Sequence, residues 1–98
     1  MTREELAERI LALPEEIHRW QKTASAARLA LEQCRADLII GGEITGKNQA
    51  ERDAQMDSKT ADLAAVVESA RAELALAENR FTALRSVARL LWGGPIDA

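Results

Sequence analysis

From Leu6 onward, apolar residues recur at alternating steps of four and three: Ile10, Leu13, Ile17, Trp20, Ala24, Ala27, Leu31, Cys34 and Leu38. In a chain that is 47% hydrophobic, ten apolar positions in a row have odds of about one in two thousand for a fixed register. The same walk from Leu63 passes Val67, Ala70, Leu74, Ala77, Phe81, Leu84, Ala88 and Leu91 without a miss. A repeat of about 3.5 residues draws one stripe down a helix and asks a second helix to cover it, whereas a strand repeats every two. The pattern therefore predicts two long helices and no sheet. A few residues between them force an antiparallel coiled-coil hairpin.

Start and stop signals bound the two helices. Thr2 and Glu5 have the spacing of a capping box, which predicts a first helix over residues 3–40. Gly41-Gly42 follows, and a glycine in the left-handed conformation closes a helix. The predicted turn covers residues 41–47, with Thr45 or Asn48 as the cap of a second helix over 48–92. Gly93-Gly94-Pro95 is a stop, which leaves one hairpin domain over 1–93 and a loose tail over 94–98. Pro14 lies inside the first helix, where it loses a hydrogen bond. Because the register passes through it unshifted, a kinked continuous helix is favoured over a break, the alternative being a second helix that starts at Pro14.

A hairpin folded near Ile44 places Leu6 opposite the stretch from Phe81 to Leu84 and Leu31 opposite that from Ala54 to Ser58. Gln49, Asp53 and Thr60 make the first part of the second seam polar, so the tip is expected to be looser than the base. Apolar residues also fall off the seam: Leu29, Ile39, Ile40, Val66, Leu76, Leu90 and Trp92. A second stripe is most readily covered by another helix, so the chain is expected to form a homo-oligomer, in its simplest form a dimer of hairpins.

Composition limits the chemistry. One cysteine, Cys34, excludes an internal disulfide, and one histidine, His18, excludes a Cys/His zinc cluster. Cys34 lies on the seam and reads as a small core residue, while His18 reads as solvated surface. Nothing resembles a catalytic triad, and the expectation is a non-enzyme without cofactor or metal. No apolar run reaches the ~18 residues of a membrane span. The net charge of −3 argues against nucleic-acid binding over the whole surface.

Two local features invite a functional reading. Gly41 to Lys47 has the G-x-x-x-x-G-K spacing of a phosphate loop. However, Asn48 stands where a magnesium-binding hydroxyl belongs, and a helix rather than a strand precedes it. A hairpin turn is the better reading, with capture of a small anionic nucleotide at an oligomer interface as an alternative. The second feature is the run from Asn79 to Trp92, which holds Arg80, Arg85 and Arg89 and no acid. Beside an exposed indole these arginines can pair with Glu4, Glu5 and Glu8, dock on a protein, or contact nucleic acid.

The stretch from Gly42 to Gln55 fits G-x-I-x-G-K-N-x-x-x-R-x-A-Q, with Gly42, Gly46, Lys47, Asn48 and Arg52 at its fixed positions. It resembles the turn of short helical-hairpin proteins encoded by tailed bacteriophages and prophages, and the likeness covers the turn and both flanking helix patterns. The resemblance implies a phage-type accessory protein, cytoplasmic in a bacterial host, with no known activity. From the residues themselves, Gly46 suits a tight turn, Asn48 a helix cap and Arg52 a polar clamp across the tip. The leading expectation is an oligomeric interaction module acting through its helix faces and binding another protein. The alternative is a small DNA-binding protein using the Arg/Trp end.

Overall fold

The computed structural model describes residues 2–93, and the predicted tail over 94–98 lies outside the described residues. Two helices account for nearly all of them: α1 (Arg3–Ile40) and α2 (Gln49–Trp92), with no strand among the described residues. They pack against each other as an all-α helical hairpin. α1 is continuous through Pro14. A single lost N–H bond does not end a helix whose next turns are held by packing.

The ends are built as the local sequence dictates. The Glu5 N–H donates to Thr2 Oγ1 at 3.1 Å and the Thr2 N–H to Glu5 Oε2 at 3.4 Å, the reciprocal pair of a capping box. At the other end of α1, Gly42 takes a φ of 73°. The Glu43 N–H then reaches the Leu38 carbonyl at 3.0 Å, and the Gly42 N–H that of Ile39 at 3.1 Å. This is a Schellman closure, which satisfies carbonyls that the helix end would leave without donors. Gly93, with a φ of 63°, ends α2 by donating to the Arg89 carbonyl at 3.0 Å.

Among the described residues the hairpin comprises two compact units, one of residues 2–22 and 71–93, the other of residues 23–70. In the first, Leu6, Ile10 and Ala88 form a buried cluster with Phe81, Leu84 and Trp92 packed against it. A small residue, Ala88, makes room for two branched ones, and close packing follows. The cluster extends to Ala88 and Trp92, past the Phe81–Leu84 stretch expected opposite Leu6.

In the second unit Leu31, Thr60, Val67 and Ala70 are buried, and Ala24, Ala27, Cys34, Leu38, Met56 and Leu63 are half-buried. Gln49 and Asp53 are exposed, as their polarity on the extrapolated seam suggests. Thr60 is the exception to a polar, loose tip: it is 2% exposed. Its hydroxyl donates to the Met56 carbonyl one turn back at 2.8 Å, so a polar side chain is buried without needing a partner on α1.

All ten seam positions of α1 are buried or half-buried. On α2 the seam holds from Leu63 to Ala88 and fails at its last member. Leu91 is 64% exposed, whereas Trp92 is half-buried in the cluster. After Ala88 the inward position is reached by four residues rather than three, and the larger indole covers the end of the core.

Burial separates positions of the same chemistry. Ile10→Ala is expected to cost about 2–5 kcal/mol and to lower the melting temperature by more than about 10 °C. Leu11→Ala, at a side chain 63% exposed, is expected to stay within about 0.5 kcal/mol. Thermal unfolding followed by circular dichroism checks both, and equal losses at the two positions would contradict the assigned inward face.

Candidate functional site

The turn motif lies in the second unit, and the structure gives each of its residues a position. Gly42 supplies the left-handed backbone that closes α1. Gly46 is needed for a different reason. A Cβ there would lie 2.7 Å from the Arg52 nitrogen and 2.8 Å from Glu51 Cβ, so the turn rests directly on the first turn of α2. Asn48 is the cap of α2, with Oδ1 accepting from the Glu51 N–H at 2.9 Å. Glu51 in turn accepts from the Lys47 N–H at 2.8 Å.

The polar clamp across the tip is Gln55, not Arg52. Gln55 Oε1 accepts from the N–H groups of Thr45 at 2.9 Å and Gly46 at 2.7 Å, while Nε2 donates to Thr45 Oγ1 at 3.1 Å. A neutral amide has both an acceptor and donors at one tip, which a guanidinium does not. Arg52 instead lines a shallow groove with Ile39, Ile44, Gln49, Asp53 and Met56. Gln55 was legible as the last residue of the motif, but its partner lies ten residues upstream, beyond the reach of capping rules.

This wiring bears on the phosphate-loop spacing. The N–H groups of Gly41, Gly42, Glu43, Thr45, Gly46 and Lys47 all donate within the chain. Those that would cradle a phosphate already hold the Gln55 amide oxygen and the Glu51 carboxylate. An anion would have to displace both and then sit beside a carboxylate.

The Arg/Trp segment lies in the first unit, and its members do not converge. Arg85 is half-buried, with its guanidinium 5.4 Å from the centre of the Phe81 ring, and shares a small depression with Phe81, Ser86 and Arg89. Arg80 lies on the opposite flank of α2, in a groove with Arg9, Ala12, Leu13, Glu16 and Leu84. Trp92 is not the exposed indole expected of a stacking platform, since it packs against the Leu6–Ile10–Ala88 cluster. Arg80 and Arg89 make no ion pair with Glu4, Glu5 or Glu8 among the described residues, whereas in the second unit Arg28 pairs with Glu32 at 3.7 Å on an exposed face.

His18 is exposed and Cys34 is half-buried on the seam. No group of three His, Cys, Asp or Glu side chains suited to a metal occurs among the described residues, and no helix there is long and apolar enough to cross a membrane.

The surface carries more large apolar side chains than the seam rule implies. In the first unit Leu11, Leu76, Val87, Leu90 and Leu91 are exposed; in the second, Leu29, Ile39, Ile40 and Val66. Leu90 and Ile40 are the extremes, at 86% and 84%. Leu11 and Val87 escaped the sequence reading. Leu11 adjoins the seam residue Ile10 and Val87 adjoins the seam residue Ala88, and only the inward direction of each helix shows them to face out. Comparison with protein-family models, with curated proteins and with solved structures finds no match to this chain.

The geometry assigns the turn to folding. Gln55→Ala is expected to lower stability by about 1–3 kcal/mol through loss of its hydrogen bonds, whereas Lys47→Ala stays within about 0.5 kcal/mol. Magnesium-ATP at about 5 mM is expected to leave the melting temperature unchanged, since a ligand stabilises only what it binds. A concentration-dependent rise lost in Lys47→Ala would contradict the assignment.

Proposed function

We propose that this chain is a non-enzymatic interaction module: a helical hairpin that self-associates and then presents the remaining helix faces to another protein. One observation carries the reading. Nine large apolar side chains lie between 42% and 86% exposed on helices whose inward seam is already filled. Water-exposed leucine, isoleucine and valine in such numbers support a surface that a partner covers.

The phage-type accessory role, inside a bacterial host, is supported by the turn resemblance. Gly42, Gly46, Asn48 and Gln55 of that motif each do a structural job, so the motif serves as a folding device for the module. The competing reading, DNA binding through Arg80, Arg85, Arg89 and Trp92, is disfavoured by the division of the arginines between two flanks and by the packed indole. Single-strand binding needs a basic track lined by free aromatic faces.

Light scattering after size-exclusion chromatography is expected to give a mass at least twice that of the chain at about 100 μM, falling on dilution to low micromolar. A chain that stays monomeric throughout would overturn the reading. In the same buffer, fluorescently labelled single-stranded DNA is expected to show no salt-sensitive binding between about 50 and 200 mM salt. A steep salt dependence abolished by Arg85→Ala with Arg89→Ala would favour the DNA reading instead.

A further inference from the structure

One exposed stripe of the first unit has its own register. Glu73, Leu76, Arg80, Ala83, Val87 and Leu90 follow one another along α2 at steps of three, four, three, four and three. All are exposed, Leu76 to 44%, Val87 to 42% and Leu90 to 86%. This is the spacing of a second heptad seam, turned away from the first and interrupted by two charges of opposite sign seven residues apart. A charged residue within a seam is costly to cover unless the partner supplies its opposite.

We propose that the charged part of this stripe, Glu73, Leu76 and Arg80, is the centre of a contact between two copies of the chain, α2 against α2 of the second copy, antiparallel about a two-fold axis beside Leu76. The proposal rests on the self-association argued above and names its surface. In that arrangement the two Leu76 side chains meet at the axis. Glu73 of each copy faces Arg80 of the other, because a two-fold contact makes every pairing reciprocal. The parallel arrangement sets Glu73 against Glu73 and Arg80 against Arg80, so the charges select both a second copy and its direction.

Arg80 is exposed and lines a groove with Arg9, Ala12 and Glu16 of the same unit.

Charge reversal with rescue tests the register. Glu73→Arg and Arg80→Glu are each expected to weaken self-association at least about tenfold by sedimentation equilibrium, and the double variant to restore it to within about threefold. Circular dichroism verifies that helix content is kept. If a reversal unfolds the chain, crosslinking decides. With Cys34→Ala as background, Leu76→Cys is expected to form a covalent dimer under mild copper-phenanthroline oxidation. Val87→Cys, about 16 Å along the helix from the axis, is expected to stay reduced. A wild-type chain that associates while both reversals leave its affinity unchanged, or in which Val87→Cys crosslinks and Leu76→Cys does not, overturns this interface and leaves the oligomeric module standing. A monomeric wild-type chain overturns both.

Discussion

Everything in this protein depends on one apolar stripe per helix finding its counterpart. No disulfide joins the helices, because Cys34 stands alone, and the Arg28–Glu32 pair lies on the surface, where such pairs contribute little. The packing itself is a matter of side-chain volume. Ala88 beside Leu6 and Ile10, and Ala70 and Ala77 among the buried positions of α2, let helices approach closely where bulky residues project from the other side. Burial then does the rest, at about 25 cal/mol per Å² of apolar surface removed from water.

A two-helix unit pairs only one face of each helix, and that limit explains the surface. In a larger domain the faces carrying Leu29, Val66, Leu76 and Val87 would meet further helices. Here they meet solvent. The turn takes the opposite course. Its polar groups are consumed internally, by Gln55, Asn48 and Glu51, so that a segment rich in exposed N–H groups is left with few to offer a ligand. The helix faces, rather than the turn, are therefore where free apolar surface is left.

Much of the fold was legible because helical periodicity is a local property written in single residues. The seam from Leu6 to Leu38, the capping box at Thr2 and Glu5, and the glycine closure at Gly42 all depend on neighbours within one or two turns. What was not legible depends on partners farther away. That Gln55 rather than Arg52 holds the turn requires knowing that Thr45 folds back on α2. That Trp92 rather than Leu91 completes the core requires knowing which side of α2 its last turn presents. Thr60 looked like a weak point of the tip, yet its hydroxyl finds the Met56 carbonyl on its own helix and the methyl group is buried. The candidate site suffered most. Arg80, Arg85 and Arg89 are close in sequence, but helical geometry sends Arg80 to the opposite flank from the other two, so a charge run became two separate features.

The central claim is that one face of each helix is closed within the chain, while exposed Leu76 is closed by the self-association proposed above. Solvent paramagnetic relaxation of isoleucine, leucine and valine methyl groups, recorded in dilute and in concentrated solution, reads both faces at once. The account predicts that Leu6 and Ile10 stay shielded at either concentration, whereas Leu76 is accessible when dilute and shielded when concentrated. Accessible Leu6 and Ile10 methyls, or a Leu76 methyl equally accessible at both concentrations, would contradict it.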